Sequence, residues 1–150
     1  MAVTEPVAPA IVKPTNANDP QSLADQIKAQ YPDAVESASA QGIVIKRDRL
    51  IDVARFLKST PGLSFDYLSN LTSVDWSDRF EVVYQLSSIA RGGAPITLKV
   101  NAERENPTVP SLVSVYRGAD FQEREVYDMM GVRFTGHPNL RRILMWEGFE

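Results

Sequence analysis

The spacing of polar and apolar positions changes several times along this chain. Residues 1 to 18 are rich in Pro and Ala and carry no usable period, so they are expected to form a flexible N-terminal arm ahead of a domain spanning 19 to 150. A helical signal begins at Asp19-Pro20. Aspartate caps free amides, proline suits a first turn, and Leu23 with Ile27 gives one apolar stripe before Tyr31-Pro32 stops it. The β-branched run Gly42-Ile43-Val44-Ile45 predicts a strand. A second helix follows, with Asp48 as its cap, a stripe of Leu50, Ile51, Ala54 and Leu57, and an end near Pro61-Gly62.

From Phe65 to Asn101 the period becomes two. Phe80, Val82, Tyr84 and Leu86 alternate with Glu81, Val83, Gln85 and Ser87, and Ile96, Leu98 and Val100 alternate with Thr97, Lys99 and Asn101, as in strands with one buried face. Phe65 to Val74 reads as the partner that precedes them. Short connections at 75–79 and 91–95 make a three-stranded antiparallel meander the economical arrangement. Gly92-Gly93 reads as a hairpin turn, because a phosphate-binding loop needs a spacing, a lysine and a following helix that are missing here. Beyond Asn106-Pro107 and Val109-Pro110, the stretch Ser111 to Met130 returns to helical spacing, broken around Gly118. The predicted fold class is α+β: a mainly antiparallel sheet with a three-stranded meander, helices packed on it, in a single domain.

Composition narrows the chemistry. A chain of 150 residues buries enough surface for a genuine core, and a formal charge of -3 gives no electrostatic reason to seek nucleic acid. Without cysteine there are no disulfides, no thiolate nucleophiles and no iron-sulfur cluster held by the chain's own thiolates, and one histidine excludes most His-built metal sites. No apolar run reaches the roughly 18 to 20 residues of a membrane-spanning helix, so membrane contact is expected only through a partner. The N-terminus lacks the basic flank of a secretory signal and the Arg-rich look of a presequence, which makes a bacterial cytoplasmic address the default.

The distinctive chemistry lies between residues 119 and 144. Asp120 is placed to cap a helix, Glu123 fits the reciprocal position of a capping box, and Gly131 supplies a stop. Arg124 sits four residues from both Asp120 and Asp128, an acid-base-acid ladder in which each exposed pair contributes only about 0.2 to 0.5 kcal/mol. Glu125 falls at the edge of an apolar arc of Gln122, Val126, Met129 and Met130. There it is either a partly desolvated carboxylate that needs a cation or a snorkelling surface residue. A hydrolase built on Glu123, Glu125 and Asp128 would lack an identifiable nucleophile and oxyanion site. His137, in the turn-like Gly136-His137-Pro138, is expected to bond a local carbonyl. Arg141-Arg142 is compatible with a phosphate, but an isolated pair is more often solvated or salt-bridged, and spacing alone leaves it open. Met145, Trp146 and Phe149, with Tyr127, Met129 and Met130, have the composition of an interface, and a core-facing tail is the competing reading.

The order of these residues resembles a known signature. It runs Glu123-Arg124-Glu125, then Asp128-Met129-Met130, then His137, Arg141 and Ile143-Leu144, with Gly131, Gly136, Pro138, Arg142 and Trp146 among and after them. This pattern is similar to that of the 30-kilodalton subunit of the proton-translocating NADH:quinone oxidoreductase, respiratory complex I. The resemblance covers residues 20 to 150. It implies a subunit of a translocase that is not catalytic by itself and binds no cofactor or metal. Such a subunit sits in the peripheral arm, on the cytoplasmic side of the bacterial inner membrane, where it holds the cluster-bearing and quinone-site subunits together. NADH and quinone are then used by the assembled complex, and flavin and iron-sulfur clusters reside in partner subunits. On this reading Glu123, Arg124, Glu125 and Asp128 order the helix and contact partners, His137 and Pro138 fix the turn, and Arg141 and Arg142 meet acids on a neighbour. The family pattern continues into a tail containing Gly, Pro, Leu, Arg, Lys and Asp, which is expected to be absent after Glu150. The equivalent subunit of a photosynthetic or ferredoxin-linked relative is an alternative within the class. A stand-alone carboxylate hydrolase and a free-standing binding domain are the alternatives outside it.

Overall fold

The computed structural model describes residues 18–141 and builds them around a five-stranded mixed sheet. In chain order the elements are α1 (Pro20–Gln30), β1 (Val35–Ser39), β2 (Gly42–Ile45), a 3-10 turn (Arg47–Arg49), α2 (Leu50–Ser59), β3 (Tyr67–Asp75), β4 (Arg79–Ser87), β5 (Ile96–Glu103), β6 (Thr108–Pro110), α3 (Ala119–Met130) and β7 (Arg133–Thr135). The main sheet runs β1-β2-β5-β4-β3, antiparallel throughout except for the β2–β5 pair, and β6 and β7 form a separate parallel pair. The class is therefore α+β, as the patterning predicts. The meander of β3, β4 and β5 is found, and β2 extends it on the β5 side.

One face of the sheet makes the core. Leu68 and Leu71 of β3, Val82, Tyr84 and Leu86 of β4, and Ile96, Leu98 and Val100 of β5 are buried, as period-two alternation requires. Onto them α2 lays Leu50, Val53, Ala54 and Leu57, one stripe at helical spacing. From α1 come Leu23, Ala24 and Ile27. The start of α1 is as expected: the Asp19 carboxylate accepts from Ser22 N at 2.9 Å and Pro20 occupies the first turn. Asp48, expected to cap α2, lies instead within the 3-10 turn, and the helix begins at Leu50 without a side-chain cap. The turn already supplies i to i+3 bonds at that end, which lessens the need for a cap.

Ser111 to Met130 is not one helix. Residues 111–118 form turns, and α3 begins at Ala119 behind Gly118. That linker is nonetheless fixed. Tyr116 donates its hydroxyl to Phe65 O at 2.6 Å, and Lys58 Nζ donates to Val115 O at 2.6 Å, tying the linker to the start of β3 and to α2.

β6, α3 and β7 make a small βαβ unit, and its direction decides where the functional residues meet. After α3 stops at Gly131, in the left-handed region at φ 78°, the chain returns alongside as β7, parallel to β6. The ends of β6 and β7 therefore lie together at the N-terminal end of α3, where Ser111 N bonds Thr135 O at 2.8 Å.

Gly42, at the start of β2, lies close against β5. Its φ is +143°, and a Cβ there would stand 3.0 Å from Thr97 O and 3.1 Å from Thr97 Cβ. Gly42→Ala is expected to lower stability by about 1 to 3 kcal/mol, through backbone strain and displacement of β5 from β2. Urea denaturation of the purified chain measures it, and an unchanged midpoint would show that the strand can yield.

Candidate interaction site

The charge in the 119–144 stretch sorts into an inner and an outer side of α3. The inner side centres on Glu123, which is fully buried. Its carboxylate accepts from Ser111 Oγ at 2.6 Å and from Leu112 N at 2.7 Å, and Ser111 Oγ in turn accepts from Val113 N at 3.1 Å. The expected capping box is thus not formed. Glu123 points away from its own helix terminus and organises the linker that enters it.

His137 closes the same end. Its side chain is fully buried, its Nδ1 accepts from Asn139 N at 2.9 Å, and its Nε2 lies 3.1 Å from Asp120 O and 3.2 Å from Asp120 Oδ1. With Nδ1 accepting, the proton of a neutral imidazole sits on Nε2 and points at Asp120. The carbonyl it meets is 17 residues away, not the local one expected from the turn. Glu123 Oε1 stands 4.0 Å from the same Nε2. Asp120 also pairs with Arg124, whose Nε and Nη2 both lie 3.0 Å from Oδ1. Arg124 and Asp128 are themselves buried, so the ladder belongs to the packed side of the helix rather than to a solvated face.

Burial leaves its mark on ionisation. The Glu123 carboxyl is pushed up to about 7, chiefly because a charge there loses its water, with Asp120 adding repulsion; the bonds from Ser111 and Leu112 oppose the rise. The Tyr84 hydroxyl, deep under the sheet and without a hydrogen-bond partner among the described residues, is held protonated well above its ordinary range by burial and secondarily by the Glu123 charge.

The outer side of α3 is the reverse. Phe121, Glu125 and Met129 recur every fourth residue and are all exposed, Phe121 by 62% and Met129 by 58%. This corrects one part of the expected arc. Met129 does not face the core, Glu125 takes the surface alternative, and Ala119 and Glu123 join Val126 on the inner side. Arg124 stacks its guanidinium 4.8 Å from the centre of the Phe121 ring, and Arg133 does the same to Tyr127 at 5.5 Å. Met130 is half-buried against the core, Gly136 takes a φ of 82°, and Pro138 and Arg141 are exposed. Arg142, Ile143, Leu144, Met145, Trp146 and Phe149 lie outside the described residues. Glu123 is sealed off while Glu125 faces solvent, so these two helical carboxylates share no cleft. Ser111 and Phe121 were invisible as functional candidates: a serine in a turn and an aromatic in a helix carry no signal until the packing is known.

Residues 43–150 match the family model described as "Respiratory-chain NADH dehydrogenase, 30 Kd subunit". An NADH-quinone oxidoreductase subunit from Roseiflexus sp. (strain RS-1) is 44% identical over 142 residues, covering 88% of this chain and 81% of the relative. The like-named subunit from Moorella thermoacetica is 40% identical, covering 83% and 84% respectively. Among solved structures, Nqo5, determined as a trypsin-resistant fragment, superposes with a TM-score of 0.64 at 27% identity, over 80% of this chain and 98% of the fragment. A chain of an archaeal respiratory membrane complex, the membrane-bound sulfane sulfur reductase, shares the fold at a TM-score of 0.68 and 23% identity, over 83% of this chain and 75% of its own.

Glu123 makes stability depend on pH with a definite sign. Between its unfolded value of 4.5 and its folded value of about 7, the unfolded chain has lost the proton that the folded chain retains. Stability from this group therefore falls as pH rises through that window, by about 3 kcal/mol in all, and is flat above it. Glu123→Gln is expected to remove the fall while keeping acceptor and donor for Leu112 and Ser111. Urea midpoints of both proteins at pH 5 and pH 8 measure this, and parallel pH dependences would refute it.

Proposed function

The chain belongs to the family of the respiratory-chain NADH dehydrogenase 30 kDa subunit, and from that premise we propose that it is a structural subunit of the enzyme's peripheral arm, carrying no redox group and not catalytic by itself. It supports electron transfer from NADH to quinone, coupled to proton translocation, by holding the cluster-bearing and quinone-site subunits in register. Flavin and iron-sulfur clusters belong to those partners. The peripheral arm lies on the cytoplasmic side of the bacterial membrane, and this chain meets the membrane only through the complex. Residues 19–150 act as one domain behind an N-terminal arm.

The observation that carries this reading is the two-sidedness of α3. A helix whose inner Glu123 and Asp120 are tied to the domain, and whose outer side offers an aromatic ring, a methionine and a carboxylate, is a presenting element. The sequence supports the same reading in having no cysteine to ligate a cluster. Among the described residues no helix is long and apolar enough to cross a membrane. His137 and Pro138 set the turn that follows β7, and the exposed Arg141 is placed to meet an acid on that neighbour.

Tagging this chain in its native host and purifying from membranes tests the reading. NADH:quinone activity, flavin and clusters are expected to co-purify with the tag, while the lone chain is colourless and inactive. Phe121→Ser costs the chain itself only about 1 kcal/mol through the lost Arg124 stacking, yet is expected to lower recovery of assembled enzyme at least tenfold. A chromophore or NADH oxidation retained by the lone polypeptide would overturn the proposal.

A further inference from the structure

β3 is an outer strand of the five-stranded sheet and pairs only with β4 among the described residues. An edge strand turns part of its backbone N–H and C=O groups away from its neighbour, and proteins commonly blunt such a row with a bulge, a charge or a covering element. Here the bulge lies near one end, between Leu68 and Asn70, and leaves Asn70 to Asp75 in unbroken register with β4. Beside that stretch, α3 leaves a groove of about 220 Å³, floored by Leu71, Thr72 and Ser73 and walled by Glu125, Met129 and Met130.

Two of these residues lack what a finished surface supplies. Glu125 stands exposed on the rim and makes no ion pair among the described residues. Met129 is more than half exposed beside it. The unmet needs are backbone partners for the strand edge, an apolar side chain for the methionines, and a cation for Glu125. A helix does not meet the first, because its own backbone groups are already bonded.

We propose that this groove receives an extended segment of a neighbouring subunit, which pairs with the free edge of β3 as an added strand. The segment sets an apolar side chain against Leu71 and the two methionines and a Lys or Arg side chain on Glu125. Main-chain bonds to the edge supply affinity, and the two side-chain contacts supply register and selectivity. The inference rests on membership of a multi-subunit enzyme and specifies how one neighbour is held.

The test uses the assembled membrane enzyme with a benzophenone-bearing residue in place of Thr72. Irradiation is expected to give one product, mapping to a stretch of a neighbouring subunit that contains Lys or Arg and no helix. Glu125→Lys, a change at an exposed position, is expected to lower the yield of that product at least tenfold. Capture of a helix, of lipid, of a second copy of this chain or of nothing, in an enzyme that still purifies with its neighbours, would overturn the added strand and leave the subunit assignment standing. Failure of any neighbour to co-purify with the unaltered chain would instead overturn the assignment.

Discussion

A buried carboxylate bonded on both oxygens is the constraint from which the C-terminal half of this domain follows. Glu123 is removed from water, and the free energy of placing it there is offset only if both oxygens find donors. Ser111 Oγ and Leu112 N are those donors, so the backbone just after β6 has little choice of path. The linker 111–118 is then led to the Tyr116–Phe65 and Lys58–Val115 contacts, which tie it to the main domain. The Asp120 carbonyl, one turn earlier on the same helix, receives the imidazole of His137 and thereby fixes the turn after β7.

This arrangement separates the work of α3 into holding and presenting. The holding side is polar, an unusual choice for a core, because hydrogen bonds fix orientation where apolar contacts mainly fix distance. Ala119 and Val126 supply the apolar packing around it. The presenting side carries Phe121, Glu125 and Met129 at the same axial spacing. Under the proposed function, orientation is what this subunit contributes, since electron transfer depends steeply on where neighbours sit.

The sequence made the main elements legible wherever one physical signal dominated. Period-two alternation disclosed β3 to β5, and capping plus stripe disclosed α1 and the body of α2. β1, with Val35-Glu36-Ser37-Ala38-Ser39, offers small and polar residues at a sheet edge and a bulge in its register, so neither hydrophobicity nor alternation marks it. β6 and β7 are three residues each, held by pairing across the sequence that no local pattern encodes. The candidate residues were legible as a motif but not as geometry. Spacing placed Glu123 at a cap and Met129 inside, because helical phase alone does not say which of two amphipathic arcs a tertiary partner selects. The buried bond to Ser111 selected the charged one.

The parallel pairing of β6 with β7 has a mechanical consequence. A pull on β7 from its C-terminal end acts along the strand axis. Bonds such as Arg133 N to Pro107 O and Ser111 N to Thr135 O then bear the load together in shear instead of opening one after another. A tug from that direction is passed to the body of the domain as a whole, and the small sheet behaves as a strain relief for the turn that follows it.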